Sequence, residues 1–147
     1  MAVALEKIPD AIYAWFAGDQ GAGSVYAAVS GRLYYTGSVP ENTAWPFIVF
    51  QRISSAPDWA QGLNNETGRF QFTIFTADDP DGGAAEAIAS KLRNRFDWAT
   101  LTFTGNEYST VSMRPDVATG PLPANPGETD KRSMFTQDYF FWIREAG

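Results

Sequence analysis

The sequence predicts an α+β fold: a mainly antiparallel sheet with two principal helices packed on one of its faces. Three observations predict it. Apolar residues recur at helical spacing near the amino end and again after residue 83. Runs rich in aromatic and β-branched residues, alternating or apolar on both faces, fill the intervening and following chain. The order that results, helix, strands, helix, strands, is that of a sheet with its helices segregated to one side. At 147 residues, 44% hydrophobic and 19% charged, the chain has the size and composition of one domain, expected to span residues 1–147.

Leu5, Ile8, Ile12, Trp15 and Phe16 stand three or four apart and form one stripe of an amphipathic helix, leaving Lys7, Asp10 and Asp19 on the wet side. Gly18, Gly21 and Gly23 end it, and residues 25–29 add another turn or two before Gly31. Leu33 to Tyr35 begin a strand. Residues 47–54 follow Pro46 as a second strand, apolar on both faces in its first half. A polar stretch over 55–67 separates it from residues 69–76, where Phe70, Phe72 and Ile74 alternate with Arg69, Gln71 and Thr73. That is a half-buried strand paired antiparallel with the one before.

Asp78, Asp79, Pro80 and Asp81 read as a helix entrance, with Asp79 as N-cap and Pro80 in the first helical position. The helix turns Ala84, Ala85, Ile88, Leu92 and Phe96 inward, and Lys91, Arg93 and Arg95 complement its carbonyl end. After Trp98, Leu101 and Phe103 alternate before Gly105 and Asn106, and residues 108–113 return as the second arm of a hairpin. Pro115, Pro121, Pro123 and Pro126, with Gly120 and Gly127, predict a long Pro/Gly-rich loop over 115–132 that is neither central strand nor helix. Residues 133–144 form the last strand, with Phe135, Tyr139, Phe141 and Ile143 on one face and Phe140 and Trp142 on the other.

Much chemistry is excluded by residue type. With no Cys and no His, the chain has no disulfide, thiolate metal site, cysteine nucleophile or imidazole base. A net charge of −6 gives the chain as a whole no electrostatic hold on nucleic acid or anionic membrane. Its longest apolar run, residues 11–17, is far short of the roughly 18 a membrane helix needs. No basic leader precedes it, so a soluble protein made in the cytoplasm is expected.

Asp78, Asp79 and Asp81 are the best candidates for a metal or acid/base cluster, but capping and the helix dipole account for acids around a proline at a helix start. The serines and threonines lack a base, and Lys7, Lys91 and Lys131 show no dyad spacing. The Gly-rich residues 18–23 follow a helix and lack the P-loop lysine, so they read as a helix stop. No cofactor or metal is expected. The aromatic excess is mostly inward-facing core; Trp45 and Trp59 lie in loops, where a tryptophan is either a lid on the core or an interface anchor, the latter favoured for Trp59.

The string Ala44-Trp45-Pro46-Phe47-Ile48-Val49-Phe50-Gln51-Arg52-Ile53-Ser54-Ser55 resembles a segment of the small tail completion proteins, or tail terminators, of long-tailed phages and prophages. The strand at 70–75, the helix at 84–96 and the closing strand at 137–143 follow in the same order as in that family. The proline-rich stretch 115–132 departs from it. The resemblance implies a non-enzymatic virion protein at the head-proximal end of the tail. In that role, six copies form a ring that caps the tail tube, stops its polymerisation and joins it to the neck or head-completion protein. DNA passes through the lumen without specific binding, and an acidic or neutral lumen suits that passage. Strands apolar on both faces need cover from helices or neighbouring subunits. Loops 56–66 and 115–131 are the expected contact elements, with Arg52, Trp59, Leu63, Arg69, Leu122, Pro123, Lys131 and Arg132 as interface candidates. Arg52 and Arg69 either pair with acids across a subunit boundary or are solvated. Two readings from other classes stand beside this one: an enzyme using carboxylates alone, and a monomeric ligand-binding module with a concave apolar pocket.

Overall fold

In a computed structural model that describes residues 7–58, 65–102, 108–123 and 131–145, helix α1 (Ile8–Ala17) opens the fold and the four-residue α2 (Val25–Ala28) follows. Strand β1 (Leu33–Tyr35) comes next, then β2 (Phe47–Asp58), β3 (Asn65–Thr76), helix α3 (Gly83–Phe96), β4 (Thr100–Leu101), β5 (Tyr108–Pro123) and β6 (Ser133–Glu145). The strands form one sheet in the order β1-β2-β3-β6-β5-β4. The expectation of a mainly antiparallel sheet needs correcting: the sheet is mixed, because β1 runs parallel to β2, Leu33 opposite Ile48 and Tyr35 opposite Phe50. Residues 36–46 carry the chain back alongside β1 before β2 begins, so a tight hairpin is impossible between them.

All three helices contribute to one core on one face of the sheet. Ile8, Ile12 and Phe16 of α1, Val25 of α2, and Ile88, Leu92 and Phe96 of α3 pack on Ile48, Phe50, Phe70, Phe72, Ile74, Tyr139, Phe141 and Ile143. The α3 stripe is Ala85, Ile88, Ala89, Leu92 and Phe96; Ala84, expected on it, is exposed. Phe72 sits at the centre of an aromatic mesh, 5.7 Å from Phe50, 5.1 Å from Phe96 and 5.6 Å from Tyr139 between ring centroids. Trp15 and Arg95 lock α1 to α3 reciprocally. The indole donates to the Arg95 carbonyl at 2.8 Å, the guanidinium donates to the Trp15 carbonyl at 2.8 and 2.6 Å, and it lies 4.0 Å over the Trp15 ring. Arg95 thus satisfies a terminal carbonyl of a neighbouring helix in addition to its own dipole.

The hairpin of β2 and β3 is longer than the sequence pattern predicts, with Ala56 paired to Thr67 and Asp58 to Asn65 inside the stretch expected to be loop. A larger correction concerns residues 115–132. Pro115, Pro121 and Pro123 lie within β5, which stays paired to β6 as far as Pro123 opposite Ser133. Proline is tolerated because β4 accompanies β5 only at Val111 and Ser112, so the strand beyond has one neighbour among the described residues. The Met113 N–H donates to the Ala99 carbonyl, towards β4, so Pro115, two residues on, lacks an N–H on the side that has no partner. Register shifts after Pro115 and after Thr119 absorb the remaining irregularity as bulges. Residues 124–130 of the predicted loop fall outside the described residues.

Tyr139 is fully buried and its hydroxyl donates to Asp97 Oδ1 at 2.6 Å, while Arg93 holds Oδ2 at 2.9 Å. Burial, then the hydrogen bond to Asp97, raise its pKa far above the ordinary phenol value, so it remains a neutral donor. Tyr139→Phe is expected to cost about 1.5 kcal/mol, the worth of one hydrogen bond to a charged acceptor, read as a lower urea midpoint at unchanged m-value.

Candidate assembly interface

The sheet face away from the helices carries the alternate residues. Phe47, Val49 and Gln51 come from β2, Thr67, Arg69, Gln71, Thr73 and Phe75 from β3, Asp138, Phe140 and Trp142 from β6, and Ser112 and Arg114 from β5. At one end Trp45 meets Phe47 and Phe75 edge-on, at 5.0 and 6.1 Å, and those two phenyl rings stack at 5.1 Å. The Arg132 guanidinium lies 4.8 Å over the Trp45 ring. The middle is polar, with the Gln51 amide donating to Gln71 at 3.0 Å. At the far end Arg69 pairs with Asp116 at 2.6 Å and lies 4.5 Å over Phe140, with Arg114 4.9 Å from the same ring. Beside them a groove of about 610 Å³ runs between Trp98, Thr100, Ser112, Arg114, Phe140 and Trp142.

The interface candidates fall into two groups. Leu122, Pro123, Lys131 and Arg132 come together at one end of the β5–β6 pair, where Leu122 faces Met134 and Pro123 faces Ser133. Leu122, Pro123 and Lys131 are exposed, whereas Arg132 is half-buried against Trp45. Arg52 and Arg69 lie near the opposite end. Arg52 is exposed at the β2 irregularity, where the register shifts between Arg52 and Ser54. Arg69 is paired with Asp116 of its own chain. Trp59 and Leu63 lie outside the described residues.

The acidic trio is structural in its central member. Asp79 is 4% exposed and accepts from Thr76 Oγ1 at 2.8 Å and from the N–H groups of Ala84 and Ala85 at 3.0 Å each. Burial pushes its carboxyl pKa up, but the Ala84, Thr76 and Ala85 hydrogen bonds outweigh that and hold it below the usual carboxylate value. The N-cap position itself is Gly82, at φ +75, a correction to the prediction that Asp79 occupies it and that Pro80 begins the helix. Asp79 reaches the same helix end from the preceding turn. No group of three or more acidic side chains among the described residues is arranged to hold a metal ion. Glu66, at the hairpin, is shifted the other way: burial raises its pKa and the charge of Arg52 only partly offsets this.

Sequence reasoning missed Trp98, Arg114 and Asp116. Trp98 is 70% exposed at φ +60, in the turn that joins α3 to β4. Its only signal in the sequence is a large ring immediately after Asp97, the C-cap of a helix. No helix among the described residues is long and apolar enough to cross a membrane.

The profile of the family described as tail completion protein gp17 matches residues 10–119. The chain belongs to that family. It is a structural protein of the phage tail. The tail completion fold is shared by a chain in the virion of a native gene transfer agent particle, 16% identical, with a TM-score of 0.69 over 100% of both chains. A second solved chain is 14% identical with a TM-score of 0.60, covering 92% of this chain and 95% of that one. No curated protein sequence matches this tail completion protein. The family match ends inside β5, yet β6 completes the sheet by pairing with both β3 and β5.

Proposed function

We propose that this tail completion protein is a non-enzymatic tail terminator. Six copies form a ring at the head-proximal end of the tail, cap the tube against further subunits and join it to the neck or head-completion protein. The ring is assembled in the host cytoplasm, each copy acts as one domain, and DNA passes through the lumen without specific binding. The family match over residues 10–119 carries the reading. The geometry supports it: among the described residues one sheet face carries no helix and presents rings at both ends, and Asp79, the acid best placed for chemistry, has its oxygens occupied by capping. Leu122, Pro123, Lys131 and Arg132 at one end, and Arg52 and Arg69 towards the other, contact the tube and the neck; Trp59 and Leu63 belong to the same contact set.

Electron microscopy of particles assembled without this chain tests the proposal. Overlong tails, or tails unattached to heads, are expected. Tails of normal length joined to full heads would refute it.

A further inference from the structure

Strand β5 changes character after Asp116. From Val117 to Pro123 its one paired strand among the described residues is β6, and every residue of that stretch is exposed except Pro121. Val117 and Leu122 leave 52% and 44% of their surface in solvent, so little apolar burial holds the segment down. Two register shifts also break its ladder to β6. In the second, Gly120 and Pro121 lie between Thr119, opposite Thr136, and Leu122, opposite Met134, so the two together face Phe135 alone. That bulge turns Pro121 off the ladder and onto the start of α3, where it meets Gly82. A Cβ on Gly82 would overlap Cβ and Cγ of Pro121, so the ring sits in the space that the missing side chain leaves.

We infer that residues 117–123 form a strap that closes on β6 and lifts from it as a unit, with the contact of Pro121 on Gly82 as its latch. The seat is held without the strap. Gly82 lies at φ +75 as N-cap of α3; its N–H donates to the Asp79 carbonyl at 3.2 Å and its carbonyl accepts from the Glu86 N–H at 3.0 Å. The same turn ties down β6 through bonds in which β5 takes no part, from the Asp79 N–H to the Lys131 carbonyl at 2.9 Å and from Ser133 Oγ to the Asp79 carbonyl at 2.6 Å. Strand β6 is also paired with β3 from Ser133, opposite Thr76, onward. It therefore stays in place when the strap lifts. A separate observation lowers the cost of lifting. Gln137, opposite Ala118, is fully buried; its Nε2 donates to the Asp138 carbonyl at 2.9 Å, and its Oε1 has no hydrogen-bond partner among the described residues. A buried carbonyl without a donor costs free energy in the closed state, and opening the strap beside it lets solvent reach it. The inference goes beyond the terminator reading, because it concerns a movement of the single chain, whatever Leu122 and Pro123 contact.

The absence of cysteine makes the latch directly testable. Leu122→Cys/Met134→Cys puts two thiols at facing positions of neighbouring strands, about 4.5–5.5 Å apart at Cα and within the span of a disulfide. The purified full chain is equilibrated with reduced and oxidised glutathione, and the oxidised fraction gives the effective concentration of one thiol at the other. Gly82→Ala fills the seat, and Pro121→Gly removes the ring while leaving the turn as it is. Each is expected to lower that concentration about ten-fold. The two together should lower it no further than the larger single effect, since they break one contact. Gln51→Cys/Gln71→Cys, at facing positions of β2 and β3, reports on the rest of the sheet and should respond to neither substitution. An unchanged effective concentration at 122 and 134 in Pro121→Gly would overturn the inference. An equal fall at the 51 and 71 pair would do so too, since it shows general loosening, and so would falls that add in the combined variant, since they show two unrelated effects.

Discussion

Asp79→Ala is expected to lower stability by about 3 kcal/mol, the sum of a lost helix cap and the desolvation left on buried partners. The carboxylate holds together three parts of the fold. Its oxygens accept from Ala84 and Ala85 at the start of α3 and from Thr76 at the end of β3. Its own backbone accepts from Ser133 Oγ at 2.6 Å and donates from its N–H to the Lys131 carbonyl at 2.9 Å, which brings in the start of β6. Removing the side chain leaves the Ala85 N–H buried without an acceptor and the Thr76 hydroxyl with the Ser133 carbonyl at 3.4 Å alone. Asp79→Asn keeps one carbonyl oxygen and loses the charge, so a cost of about 1–2 kcal/mol is expected. Urea unfolding at pH 7 separates the three proteins.

The same carboxylate gives a pH dependence of fixed sign. Its native pKa lies below the ordinary value, so the folded state holds the proton more weakly than the unfolded chain. The stabilisation is complete above the unfolded carboxyl pKa of about 4 and fades as pH falls through the lower native value. Wild type and Asp79→Asn should therefore converge in stability as the solution is acidified below about pH 4. A constant gap between them down to the lowest pH at which both fold would refute the charge-based account. Glu66 works in the opposite sense, since a raised carboxyl pKa favours the folded state when the group is protonated.

The parts of the fold legible in the sequence are those that a local pattern determines. The 3.6-residue spacing of Ile8, Ile12 and Phe16 and the alternation of Phe70, Phe72 and Ile74 report burial on one face of one element, and both faces are buried as expected. The identity of a strand's neighbours is not local. Pro115, Pro121 and Pro123 look like loop residues because a strand paired on both sides would need their missing N–H groups; β5 has a partner on one side over that stretch, which only the sheet order reveals. The direction of β1 was illegible for a similar reason: three residues carry no mark of parallel or antiparallel pairing. Among interface candidates, composition and motif brought Leu122, Pro123, Lys131 and Arg132 to one place through their closeness in sequence and the β5–β6 register. The Arg69–Asp116 pair and the Trp98 groove join residues from strands far apart in the chain, and no spacing rule announces them.

Gly68→Ala is expected to cost about 3 kcal/mol, at the upper end of what one inserted methyl costs in a packed core. Gly68 lies in β3 between Ser55 of β2 and Phe141 of β6. A Cβ there would run into the Ser54 carbonyl oxygen and approach the Phe141 ring to 2.7 Å. The ring is fixed, since Phe141 is 2% exposed and packs 5.0 Å from Phe70. The carbonyl is backbone of the strand paired with β3, directly after the register shift between Arg52 and Ser54. Neither neighbour is the free end of a flexible side chain, so the strain must pass into the backbone of the β2–β3 pair. The glycine and the bulge are therefore one feature: the extra residue at 53 brings the β2 backbone close over position 68, and only a residue without a Cβ leaves it room. Gly68→Ala should lower the urea midpoint. Deleting Ile53 in that background, which removes the bulge and restores the room, should recover part of the loss. Equal destabilisation from the single change in wild-type and bulge-deleted chains would show that the two are independent and refute the coupling.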